Sequence, residues 1–165
     1  MTDQEMNAHQ QIGLLISEDV ERLVADRMIG REDLQKVIYR AESTAKKLIN
    51  LSTGRSLAYF RPKAVFYWVE YSQCDDGYQV HTAYSHRMVT KSSGSSKEWV
   101  KTGTETDWLC NPCQRPLEVQ TVRLQYMQSI FPIDLPACSG CDFVLVAEDL
   151  ATGKMAEAEQ ALEDK

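Results

Sequence analysis

Residues 110–141 read CNPCQRPLEVQTVRLQYMQSIFPIDLPACSGC, with Cys110 and Cys113 closing one end and Cys138 and Cys141 the other. Four of the chain's five cysteines lie here, in two C-x-x-C units. A thiolate pair spaced this way turns both sulfurs onto one ion, and two such pairs complete a tetrahedral four-sulfur site. The stretch between them has the length of a β-hairpin and its approaches. Leu117 to Leu124 alternates as a strand does, and Pro132 and Pro136 bracket the approach to the second pair. The spacing predicts a metal site with Cys110, Cys113, Cys138 and Cys141 as ligands, zinc ahead of iron, in a small β module.

Outward from that stretch, the apolar run Phe143–Val146 predicts a third strand. Lys154 to Leu162 predicts a helix, with Met155, Ala158 and Leu162 inward and Glu157, Glu159 and Glu163 mostly outward. Upstream, Lys91-Ser92-Ser93-Gly94-Ser95-Ser96-Lys97 has the composition of a flexible linker. The chain thus divides into a first domain over 1–90, a linker over 91–104 and a four-Cys domain over 105–165. A module of about 60 residues buries only ~60% of its chain surface and often needs a staple. Structural zinc supplies roughly 10–16 kcal/mol in small peptides.

In the first domain, residues 1 to about 12 show no apolar period and are expected to fray. Ser17 can cap a helix whose face carries Val20, Leu23, Val24 and Met28, ended by Gly30. Asp33 can start a second helix, with an apolar stripe of Leu34, Val37, Ile38, Ala41, Ala45, Leu48 and Ile49. Asn50 to Gly54 reads as a stop and turn. The period then changes from 3.6 to 2. Ser56–Phe60 and Val65–Tyr71 read as strands, Asp75-Asp76-Gly77 as a turn, and Tyr78–Met88 as the returning strand. The whole predicts an α+β protein: an N-terminal helical hairpin on a small antiparallel sheet, then a zinc-ribbon-like module with a terminal helix. The aromatic-rich central strand is expected to be only partly buried.

Charge and composition narrow the function. The formal net charge is −6, and residues 104–165 carry four Lys/Arg against eleven Asp/Glu. A ribbon that binds nucleic acid needs a basic face to replace phosphate counterions, so nucleic acid is not an expected partner. The helical hairpin is charge-neutral and reads as packing against a sheet in preference to a DNA-reading helix-turn-helix. The polar start has no signal-peptide pattern and no run is long enough to span a bilayer. Cytoplasmic residence is therefore expected, where paired C-x-x-C units are more often metal ligands than disulfides.

Other groups along the chain also bear on chemistry. His81 and His86 are an odd five apart, so on a continuous strand they face opposite ways and cannot share an ion. Tyr84-Ser85-His86-Arg87 offers acid–base groups without a paired nucleophile, and reads as a surface or interface stripe. Cys74 reads as an exposed free thiol beside a turn. A thioredoxin-like dithiol at Cys110 and Cys113 would need a helix starting there, which Gln114-Arg115-Pro116 disfavours. A rubredoxin-like iron site would use the same four thiolates as an electron carrier. Such knuckles usually place Gly just after the second Cys, where this chain has Gln114 and Asp142.

From Trp108 to Lys165 the chain resembles a family of short bacterial proteins described as redox proteins, found in sulfate reducers and related anaerobes alongside aldehyde oxidoreductases. The likeness rests on Trp108, the two C-x-x-C units and above all the tail Leu150-Ala151-Thr152-Gly153-Lys154-Met155-Ala156-Glu157-Ala158-Glu159-Gln160-Ala161-Leu162-Glu163-Asp164-Lys165. It implies the same four cysteine ligands and a protein partner, an oxidoreductase subunit. Residues 53–55, Trp68–Tyr71 and Ala83–Met88 are similar to segments of proteins from the same kind of gene neighbourhood.

Overall fold

A computed structural model describes residues 8–91, 101–141 and 143–163, so most of the expected linker and Asp142 lie outside the described residues. The protein is α+β. It divides into two compact units, residues 1–85 and 86–165.

In the first unit the helices begin where side chains can satisfy the free N–H groups. Helix α1 (Glu18–Asp26) is capped by Ser17, whose Oγ accepts from the Val20 N–H at 3.3 Å. Helix α2 (Arg31–Thr44) starts two residues before the expected Asp33, with Gly30 as its cap. Asp33 reaches back to accept the Gly30 N–H at 2.9 Å, so it stabilises the first turn from within. The helix also ends earlier than its apolar stripe suggested. Ala45 takes a left-handed conformation (φ 63°), and Leu48–Asn50 becomes strand β2. Residues 8–11, expected to fray, form a 3-10 turn whose His9 is buried and bonds Glu32 at 3.0 Å.

The strands are β1 (Leu14–Leu15), β2, β3 (Ser56–Phe60), β4 (Phe66–Cys74) and β5 (Gly77–His86), in the order β1-β5-β4-β3-β2. Neighbours β2, β3 and β4 are antiparallel, while β1 adds a short parallel edge to β5. That edge requires glycine: Gly77 has φ 144°, and a Cβ there would overlap the Gly13 carbonyl. Val24, Leu34, Val37, Ile38 and Ala41 of the helices form one core with Ala58, Val69, Tyr71, Val80 and Ala83 of the sheet. The aromatic strand is more deeply buried than expected, with Trp68 2% and Tyr71 1% exposed. Tyr71 satisfies its hydroxyl by donating to Glu42 at 2.7 Å, and Lys47 holds the same oxygen at 2.7 Å.

In the second unit, β6 (Val89–Lys91), β7 (Lys101–Cys110), β8 (Arg115–Tyr126) and β9 (Ser129–Ala137) form antiparallel pairs around β8. The chain joins this unit before the Ser/Gly stretch, because Val89–Lys91 pairs with Gln125–Arg123. Helices α3 (Glu148–Thr152) and α4 (Lys154–Glu163) follow. Phe143–Val146, expected as a strand, makes only the single bridge Ala137↔Val144, although all four residues are buried.

Pro132 and Pro136 sit inside β9, not beside it. The two-residue loop closes on the pair Tyr126↔Ser129, so odd-numbered β9 residues bond to β8 and even-numbered ones point to the outer edge. Both prolines occupy outward positions, where a missing N–H costs no ladder bond. Pro136 still accepts there, from the Leu145 N–H at 2.9 Å. Met127, Ile130 and Phe131 near the loop are exposed. No helix among the described residues is long and apolar enough to cross a membrane.

Candidate metal centre

The ends of three strands place the four cysteines. Cys110 is the last residue of β7 and pairs with Arg115, the first of β8. The intervening turn closes with the Gln114 N–H donating to the Cys110 carbonyl at 2.8 Å. Gln114 adopts φ 53°, the left-handed conformation usual for glycine, and its Nε2 donates to the Asn111 carbonyl at 2.6 Å. On the other side, the β8–β9 ladder runs to Glu118↔Ala137, delivering Cys138 immediately afterwards. Cys138 is fixed by its N–H to the Phe143 carbonyl at 2.8 Å. The apolar stretch 143–146 thus anchors the second knuckle.

All four Sγ atoms lie within 4.8 Å of one another, and Cys110 Sγ and Cys141 Sγ are 3.5 Å apart. A tetrahedron with zinc–sulfur bonds of ~2.3 Å has edges of about 3.8 Å, so the cluster needs only small adjustments to hold one ion. Two details favour such a fit. The Gly140 N–H donates to Cys138 Sγ at 3.3 Å, supplying positive partial charge to a sulfur-rich set. A Cβ on Gly140 would stand 3.1 Å from Cys113 Sγ and 3.7 Å from Cys138 Sγ, so this position must be small for the knuckle to close over the sulfurs.

The four sulfurs are not equivalent. Cys110 and Cys138 are buried, Cys113 is half-buried and Cys141 is exposed. Burial pushes the Cys110 thiol well above its ordinary value, against the pull of the Cys113 amide. Burial likewise pushes Cys141 up to about 11, with the Phe143 amide opposing. At Cys138 burial acts the same way, but the Gly140 and Cys141 amides, with the Cys110 and Cys141 thiols, outweigh it and lower the value. Without a cation Cys110 and Cys141 keep their protons, and a bound cation would displace them.

The other candidates lie elsewhere. Cys74, at the end of β4, is half-buried and outside the four-sulfur cluster. His81 bonds Ser72 Oγ at 2.7 Å. Val80 and Ala83, three apart, both enter the helix-side core, so β5 carries an irregularity. It turns His81 and Tyr84 to the same side, where Tyr84 stacks on Trp68 at 6.0 Å. Tyr84 and His86 are buried and Arg87 is exposed, so the run expected as a surface or interface stripe is not a continuous surface one. His86 Nδ1 meets the Met88 carbonyl at 2.9 Å. Arg87 serves the terminal helix: its N–H donates to Glu159 at 2.6 Å and its guanidinium pairs with Glu163 at 2.7 Å. Tyr126 also donates to Glu163. Glu159, expected outside, is buried by this contact at 8% exposure. The sequence reading missed the left-handed Gln114 and the inequality of the sulfurs. Glycine at 140 was the one visible hint of a close approach.

No curated protein and no solved structure gives a significant match to this chain. Residues 106–165, which contain all four cysteines of the cluster, match the model of a family described as a domain of unknown function (DUF7479).

Proposed function

We propose that residues 106–165 form a zinc-binding module, and that the chain is an accessory or adaptor protein of a cytoplasmic oxidoreductase system. The observation that carries the metal reading is the meeting of four cysteine sulfurs, from two knuckles at the ends of three strands, within 4.8 Å. When bound, the ion supplies a structural crosslink. Cys110 and Cys113 hold it from the β7–β8 turn, Cys138 and Cys141 from the segment after β9. The adaptor role is supported by the likeness of residues 108–165 to proteins found alongside aldehyde oxidoreductases. The acidic surplus of this segment suits a partner with a basic docking face.

Elemental analysis of protein purified under reducing, oxygen-free conditions tests the metal reading. One zinc per chain and a colourless solution are expected; chains that retain no metal overturn it. Recovery of the tagged protein from its own cells tests the adaptor reading. A stoichiometric oxidoreductase subunit is expected, and its absence from complexes recovered at low ionic strength counts against it.

One observation favours a second reading, a rubredoxin-like iron centre carrying single electrons. Gln114 takes the left-handed conformation that such knuckles usually assign to glycine, so the first knuckle's backbone does not oppose iron. One iron per chain with a reversible colour change in the same experiment would establish it.

A further inference from the structure

The four thiols differ in access, and that difference singles out one of them. Cys110 and Cys138 are 0% and 1% exposed, Cys113 is half-buried under Gly140, and Cys141 alone is exposed. Cys141 Sγ also lies 3.5 Å from Cys110 Sγ, across the two knuckles. A disulfide needs a sulfur–sulfur distance of about 2.05 Å, so this pair must close by roughly 1.5 Å, a movement a knuckle tip can make.

We propose that Cys141 is a modification site, the thiolate at which a peroxide enters the centre, and that Cys110 resolves it. This rests on the metal reading above. The Cys141 sulfur attacks one peroxide oxygen, the O–O bond breaks, and hydroxide leaves and takes a proton to become water. Two electrons pass from sulfur to peroxide, leaving a sulfenic acid at Cys141. The Cys110 thiolate then attacks the Cys141 sulfur, the S–O bond breaks, and a second hydroxide leaves as water. In total two thiolates, one hydrogen peroxide and two protons give one disulfide and two waters. The ion loses one ligand from each knuckle and is released. The new Cys110–Cys141 bond keeps the two knuckles joined after the ion has gone.

The test uses the full-length, zinc-loaded wild-type protein, with zinc content measured first. In one arm, substoichiometric N-ethylmaleimide is added and labelled cysteines are mapped by peptide mass spectrometry. Cys141 is expected to label at least about tenfold faster than Cys110 and Cys138, as site-selective thiol chemistry requires. In the other arm, one equivalent of hydrogen peroxide is added while a chromogenic chelator reports free zinc. One zinc released per disulfide, with the disulfide mapped to Cys110–Cys141, supports the proposal. A first disulfide within a knuckle, Cys110–Cys113 or Cys138–Cys141, overturns it, as does preferential labelling of Cys113. A chain that holds no zinc overturns the metal reading. The disulfide map of that metal-free chain still decides whether Cys141 and Cys110 are the reactive pair.

Discussion

Both units bury apolar side chains, and only the second brings four sulfurs together as well. In the first, two helices lay apolar side chains on one face of a sheet, and Leu34, Val37, Ile38, Ala58 and Val69 are sealed from water. In the second, three strand ends converge on four sulfurs. Hydrophobic burial is spread over many contacts, and a single loss leaves the rest in place. A metal crosslink concentrates its contribution in one ion, and a single lost ligand removes much of it. The first unit should therefore yield gradually to mutation and the second abruptly.

Removing a buried ligand gives the largest effect. Cys138→Ala should melt the second unit, forfeiting much of the ~10–16 kcal/mol that structural zinc supplies, while the first unit stays folded. Limited proteolysis should cleave freely after about residue 105 and spare the helical core; a variant that keeps the second unit protease-resistant would refute the crosslink. The reciprocal change is Leu34→Ala, at a fully buried position. It should cost about 2–5 kcal/mol in the first unit. Metal stoichiometry should be unchanged, and a drop in zinc content would show that the contrast between the units is false.

Smaller changes sharpen the comparison. Gly140→Ala places a methyl 3.1 Å from Cys113 Sγ and should cost roughly 1–3 kcal/mol, read as weaker zinc retention against a chelator. Ser17→Ala removes the Oγ cap of α1 and should cost about 1 kcal/mol, seen only in the first unit's melting. The least effect is on pH. Burial first, then the charge of Arg55, holds His81 below its ordinary value of 6.5. The unfolded chain therefore takes up this proton at a higher pH than the folded one. The contribution is full above 6.5 and is lost as pH falls below it. Melting of the first unit at about pH 5.5 against about 7.5 should show this loss, and His81→Gln should shrink it.

Much of this was legible in the sequence because the signals were local. The two C-x-x-C units announced the four-sulfur cluster, and Ser17 with its acidic first turn announced α1. Errors arose where tertiary contacts overrode local pattern. Leu48 and Ile49 continue the helical stripe, but Ala45 turns left-handed without a glycine to mark it, and the two residues enter the sheet. Glu159 lies on a charged face, yet one backbone N–H of Arg87 draws it inside. Trp68 and Tyr71 find partners that no neighbouring residue predicts. The separation of His81 and His86 assumed an unbroken two-residue period, and β5 breaks it between Val80 and Ala83.

The placement of Pro132 and Pro136 bears on how molecules of this protein meet in a crowded solution. A border strand with every amide free is a template onto which another chain can be laid, and repetition of that step builds filaments. Here Pro132 has no hydrogen to offer on the outer edge of β9, and at Pro136 Leu145 already takes that edge, so an incoming strand would find no continuous row to zip against. The neighbouring Ile130 and Phe131 can thus remain in contact with water without seeding runaway stacking.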